Sequence, residues 1–239
     1  MLFRCISLAI VEFVPPDLLA ELLAIVVPPA CIACRAALPR GHLRLCAACV
    51  RALPWLPERR CERCGLPRHR RGGCPAARAA FARAWSPLAY EGVARDLVGA
   101  LKFRGALPLA DLMAAHIGAN LPPDLRAGVL VPVPAQPLRR RRRGFDPAAA
   151  LSSALVPRLG VPEQSCLRRR DRGARQVGAS RTQRRRPGRL TIELRAPPPA
   201  RALLVDDVYT TGATLDACAR VLLAGGCRGV VALTYARTL

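Results

Sequence analysis

The residues best placed to do chemistry lie in Leu203-Leu204-Val205-Asp206-Asp207-Val208-Tyr209-Thr210-Thr211-Gly212-Ala213-Thr214. An apolar run ends in two adjacent carboxylates and passes through a Thr/Gly loop into a helical pattern. Backbone N–H groups, hydroxyls and a helix N-terminus in Thr210, Thr211, Gly212, Ala213 and Thr214 suit a phosphate. Asp206 and Asp207 can accept hydrogen bonds from a sugar diol, or sit beside a divalent cation. Sugar hydroxyls plus one phosphate describe a ribose 5-phosphate. The bland alternative is a structural turn with a chance pair of acids.

Cysteine supplies the second chemistry. The 239 residues hold 11 cysteines, and seven lie between positions 31 and 74. An odd number without a secretion signal argues against a disulfide framework and for metal. Cys31-x-x-Cys34 and Cys46-x-x-Cys49 have the spacing of two knuckles that close a tetrahedron of thiolates around Zn²⁺. Four protein ligands leave no open position, so the expected role is structural. The second set is incomplete: Cys61-x-x-Cys64 is followed by Cys74, but position 77 is Ala. His69 either supplies a fourth ligand or faces solvent beside Arg68, Arg70 and Arg71. The alternative to a second zinc is a relic half-site held by packing.

Charge narrows the partners. There are 38 basic and 16 acidic residues, for a net +22, which fits nucleic acid, phosphates or an acidic membrane surface. A high-GC codon bias accounts for Arg replacing Lys, since Lys102 is the only lysine, but not for the excess over acids. Residues 126–201 hold 19 Arg against four acids. The clusters are Arg139-Arg140-Arg141-Arg142-Arg143, Arg168 to Arg170 and Arg184 to Arg186. Such density suits contacts to a phosphate backbone. Alternatively the arginines serve only a diphosphate, or form a solvated face. Phe145 is the only aromatic inside the region, so binding to single-stranded DNA should be electrostatic and sequence-tolerant.

These residues need a scaffold. With 51% hydrophobic residues the chain can bury a core. The apolar stretches Cys5 to Val11 and Leu22 to Ala33 are too short or too interrupted to span a bilayer, so no membrane insertion and a cytosolic location are expected. Residues 1–27 read as a helical lead-in and 28–80 as a small domain that metal holds together. From residue 81 to 239 strands and helices alternate. Strands are expected at 88–90, 129–133, 190–194, 202–205 and 230–235. Helices are expected at 93–103, around 109–117, at 148–159 before Gly160, and at 214–224 before Gly225-Gly226. This pattern means an α/β fold with a parallel sheet flanked by helices.

The Asp-Asp-x-x-Thr-Thr-Gly-x-Thr stretch resembles the 5-phosphoribosyl-1-diphosphate (PRPP) motif of type I phosphoribosyltransferases. Further motifs run in the order of the ComF (competence protein F) family. They are the Cys pairs, Cys64-Gly65-Leu66-Pro67, Leu101-Lys102-Phe103-Arg104-Gly105, Val131-Pro132-Val133-Pro134, Arg142-Arg143-Gly144-Phe145 and Gln176 to Arg184. The resemblance covers about residues 22–237. It implies a zinc-ribbon head on a phosphoribosyltransferase-like domain, and a role in uptake of transforming DNA. Asp206 and Asp207 match the acids that hold the ribose and act in catalysis. Thr210 to Thr214 match the 5-phosphate loop, and Val131, Pro132, Val133 and Pro134 the diphosphate loop. Arg142, Arg143, Gln176, Ser180, Arg181 and Arg184 match a basic region over the site. The implied cofactors are structural Zn²⁺ and Mg²⁺ with PRPP. The implied partners are PRPP, single-stranded DNA and a competence helicase. The sequence departs from the family pattern at Asp146-Pro147, where Asn-Gln is usual, at Pro187 for Asn, and at Ala179 for Leu.

Overall fold

A computed structural model describes residues 29–39, 44–69, 73–170 and 191–239. The chain divides between Ala52 and Leu53 into two compact units. In the first, a turn at residues 32–34 and a short helix α1 (Ala47–Arg51) each carry one Cys-x-x-Cys pair. The apolar positions Cys31, Leu38, Leu45 and Cys49 are buried. Among the described residues of this unit these make only a small core, of the kind that metal ligation helps to hold in shape.

The second unit is built on a parallel sheet. Its strands are β1 (Arg83–Trp85), β2 (Leu88–Ala89), β3 (Val129–Pro132), β6 (Arg201–Tyr209) and β7 (Gly229–Arg237), in the order β1-β7-β6-β3 with β2 also on β7. Every pairing in this sheet is parallel. Ala202 to Val205 are all buried, as a central strand covered on both faces requires. The covering helices are α2 (Gly92–Arg104), α3 (Pro108–Asn120), α5 (Pro147–Leu159) and α6 (Ala213–Ala224). A two-stranded antiparallel ribbon, β4 (Leu167–Arg170) and β5 (Thr191–Leu194), stands apart from the main sheet.

The expected α/β architecture is therefore present, with several differences. Strand β1 was not among the expected strands, and the strand expected at 190–194 joins the antiparallel ribbon rather than the parallel sheet. Strand β6 runs through both acids to Tyr209, beyond the expected end at 205. Polar residues at a strand's carboxyl end follow the site they serve rather than the core, so apolar patterning stops short of them. A helix α4 (Pro137–Arg143) forms within the arginine run, where no apolar periodicity marks it. Strand β4 is likewise hidden in Arg168 to Arg170. No described helix is long and apolar enough to cross a membrane.

Candidate functional site

The carboxyl ends of β3 and β6 open into a cleft of about 300 Å³. In a parallel sheet this edge is where ligands of α/β proteins bind. Its floor is the turn from β6 into α6. Gly212 has φ +79°, and a Cβ there would meet Tyr209 Cε2 at 2.6 Å, so both backbone conformation and space demand glycine. Thr211 Oγ1 accepts from the Ala213 N–H at 3.4 Å. Thr210 to Leu215 all border the cleft, and α6 begins there with its N-terminus toward it.

The two acids differ in surroundings. Lys102 Nζ, at the end of α2, ion-pairs with Asp207 Oδ1 at 2.8 Å, and Asp207 is 5% exposed. Asp206 is half-buried and accepts the Asp207 N–H at 2.8 Å. Burial, then the neighbouring Asp207 charge, raises the Asp206 carboxyl to about 8 despite opposing help from that N–H and Lys102. The pair thus presents one acid ion-paired with lysine and one whose carboxyl is held well above the usual carboxylate range.

Across the cleft lie Val133 and Pro134. Val131 and Pro132, expected with them, are buried in β3. Asp146 fixes this loop. Its Oδ2 accepts the Ala135 N–H at 2.9 Å, while Oδ1 caps α5 through Ala148 N–H at 3.0 Å and Ala149 N–H at 3.4 Å. Pro147 occupies the first turn, where its missing N–H costs nothing. The Asp-Pro departure from the family pattern is therefore an N-cap that also anchors the loop.

The arginines of α4 separate. Arg139 and Arg143 border the cleft with Lys102 and Arg169. Arg142 joins them around an adjoining hollow of about 540 Å³ with Phe103, Gly105 and Phe145. Arg140 and Arg141 border a different hollow beside Arg168 and Arg195. Arg181 and Arg184, like Gln176 and Ser180, lie outside the described residues. Phe103 is 77% exposed, and the Arg143 guanidinium lies 5.1 Å from its ring centroid. The sequence reading gave Lys102, Phe103 and Asp146 no site role, because each reaches the cleft or its adjoining hollow only through folding from another element.

Both cysteine sets are assembled, each with its four ligand atoms within 4.8 Å of one another. A Zn–S bond of about 2.3 Å implies a tetrahedral S···S edge of about 3.8 Å. Cys34 and Cys46 Sγ are 3.6 Å apart, and Cys61 and Cys74 Sγ are 3.8 Å apart. His69 Nε2 lies 3.3 Å from Cys64 Sγ, so His69 completes the second set rather than facing away. Both donor sets fit a structural Zn²⁺. Burial pushes the Cys31 thiol up, but backbone N–H groups around it outweigh this and bring it down to about 6. Burial pushes the Cys64 thiol up to about 12, so full deprotonation of either set depends on the cation itself. The second set lies in the same unit as the cleft. Arg63 holds its backbone by donating to the carbonyls of Ala76, Ala77, Ala79 and Ala82, and Ala77 is where a fourth Cys was missing.

Residues 22–78 match the double zinc ribbon domain family. Most of the chain is similar to the DNA utilization protein YhgH of Salmonella typhi, at 31% identity over 229 residues, covering 89% of this chain and 99% of the relative. The YhgH proteins of Escherichia coli strain K12, at 29% identity, and Salmonella typhimurium strain LT2, at 31%, align with the same coverage.

Proposed function

Because the chain belongs to the family of the DNA utilization protein YhgH, we propose that it is a PRPP-binding, phosphoribosyltransferase-like protein that handles single-stranded DNA. The observation that carries this reading is the meeting of Asp206, Asp207 and the glycine-dependent loop Thr210–Thr214 in one cleft, with Lys102, Arg139 and Arg143 around it. A ribose diol suits the acids, a 5-phosphate the loop and α6 N-terminus, and a diphosphate the arginines.

Transfer from PRPP breaks the bond between C1 and the diphosphate oxygen and forms one from C1 to an acceptor nucleophile, which gives up a proton to solvent, through an oxocarbenium-like state. Asp206 and Asp207 would stabilise positive charge growing on the ribose, and Arg139 and Arg143 the negative charge leaving with diphosphate. Mg²⁺ bound with PRPP would supply further charge neutralisation at the diphosphate oxygens. Asp146 acts indirectly, by holding the loop at Val133 and Pro134. On this reading residues 28–80 form the zinc ribbon and 81–239 the phosphoribosyltransferase-like domain, in the cytosol, with a competence helicase as a further partner.

A non-catalytic reading, in which the fold is a scaffold for DNA, draws support from the hollow beside the cleft. Exposed Phe103 and half-buried Phe145 offer ring faces among Arg139, Arg142 and Arg143, the combination that suits stacked bases and a phosphate chain. Diphosphate release from PRPP, measured with and without single-stranded DNA, decides between them. Release above background supports transfer. PRPP binding without release refutes transfer, and single-strand binding without any binding of Mg²⁺ and PRPP leaves the scaffold reading alone standing.

A further inference from the structure

The second cysteine set and the phosphate loop meet at one side chain. Arg237 ends β7, opposite Tyr209 of β6 in the parallel register, and is only 4% exposed. Its Nε donates to the Cys64 carbonyl at 3.0 Å. Its Nη1 lies within bonding distance of three carbonyls: Tyr209 at 3.0 Å, Thr210 at 2.6 Å and Thr238 at 2.9 Å. The guanidinium also stacks on the Tyr209 ring, 3.7 Å from its centroid. That same ring excludes any Cβ at residue 212. Arg237 therefore touches the loop twice, through its entering carbonyls and through the ring against which Gly212 turns.

A buried cation is costly unless compensated. Among the described residues Arg237 has no carboxylate partner and is surrounded by carbonyl dipoles. The remaining compensation lies behind Cys64. Three thiolates and a neutral imidazole around Zn²⁺ carry a net charge of about −1, and Cys64 is one of them. A second strut runs in parallel. The Ala80 N–H donates to Asp216 Oδ1 at 2.7 Å. Arg220 joins Asp216 Oδ2 at 2.9 Å to the Arg78 carbonyl at 3.2 Å. Asp216 lies in the first turn of α6, and residues 78–80 closely follow Cys74. The segment that carries the second ligand set thus grips both the loop and the helix that opens from it.

We propose that Arg237 is a positioning residue through which metal at Cys61, Cys64, His69 and Cys74 sets the shape of the phosphate loop. The proposal rests on the phosphosugar reading of that loop only for its consequence in binding. The coupling itself concerns the protein alone.

The test uses the full chain with its zinc counted. Arg237→Lys keeps the charge but lacks the planar fork that spans carbonyls of two segments. His69→Gln/Cys74→Ser, treated with a mild chelator until one zinc per chain remains, removes the second metal. Each change should speed hydrogen exchange across 206–216 and weaken binding of PRPP with Mg²⁺, both by roughly tenfold or more. Exchange in α3 and β3 should stay unchanged. Arg237→Lys in the metal-depleted protein should add little, because both changes cut one route. Unaltered loop exchange in Arg237→Lys with both zincs present overturns the proposal, as do fully additive effects. If the metal-depleted variant unfolds throughout, Arg237→Lys alone decides. If the wild-type protein binds no PRPP, the phosphosugar reading falls, while exchange measured without ligand still decides the coupling.

Discussion

Asp206 offers a sharp test of the cleft, because its raised carboxyl makes ligand binding a proton-linked event. At about 8, roughly nine-tenths of the carboxyl is protonated at pH 7. A ribose diol with a bound Mg²⁺ favours the carboxylate, so binding should expel that proton. Titration calorimetry in buffers of different ionisation enthalpy should then show release of about 0.9 proton at pH 7 and about 0.1 at pH 9. PRPP phosphates also titrate near neutrality, so the quantity that matters is the difference between wild type and Asp206→Asn. That variant should bind more weakly and show no release beyond that of the ligand.

The same substitution has an opposite effect on stability. The unfolded Asp ionises near 3.9 and the folded one near 8, so between these values the folded state holds the extra proton. Raising the pH through this window therefore favours unfolding, and Asn escapes that loss. About three pH units at 1.36 kcal/mol each give about 4 kcal/mol at pH 7 as a ceiling. Solvent reaching a half-buried side chain lowers this to roughly 2–4 kcal/mol. Urea denaturation at pH 5 and pH 7 should show the Asn variant more stable, with a larger gap at pH 7. Equal proton release in both proteins, or an Asn variant no more stable than wild type, would refute the assignment of a protonated Asp206.

Three further outcomes are expected. Cys46→Ser should lose one zinc by elemental analysis and leave residues before Ala52 open to proteolysis, while the unit from Leu53 onward resists, because the two ligand sets lie in separate units. Burial lowers the His116 imidazole, which hydrogen-bonds Tyr235 at 3.0 Å. The unfolded state therefore takes the proton first as pH falls below about 6.5, with loss of up to about 1.4 kcal/mol per pH unit that His116→Gln should abolish in denaturation curves. Arg140→Gln/Arg141→Gln should flatten the salt dependence of single-strand binding by about 1.4 log–log units, from about 0.7 per phosphate contact. PRPP affinity should be spared, because neither residue borders the cleft.

What was legible in the sequence follows from where patterning is enforced. The buried strand from Ala202 and the helix from Thr214 carry apolar periodicities that burial demands, and both elements stand where they were expected, within a few residues at their ends. The loop between them was legible because Gly212 answers a backbone constraint and the acids have no core role. The arginine elements α4 and β4 were not legible. Helix α4 buries none of its side chains, so its seven residues form about two turns that Pro137 at the start and left-handed Gly144 at the end delimit, without an apolar stripe to announce it. At the second knuckle the sequence left His69 open between ligand and solvent-facing residue, and folding selects the ligand by bringing it to Cys64.

The least legible feature was the dependence between distant parts. Asp207 and Lys102 are 105 positions apart, yet their pairing at 2.8 Å sets the charge beside Asp206. Arg237 meets Cys64 across 173 positions and lies in no motif. Such residues are chosen by the neighbours a parallel sheet supplies, since β7 sits between β1 and β6 and gathers the ends of both. A motif records the groups that must contact a ligand. It omits the groups that hold those groups still, because their identity depends on register and packing. For this protein the two are continuous: the carbonyls that Arg237 gathers belong to Cys64 on one side and to the end of β6 and the loop after it on the other. The metal set within the second unit is thus part of the architecture of the cleft, whereas the first set stabilises a unit of its own.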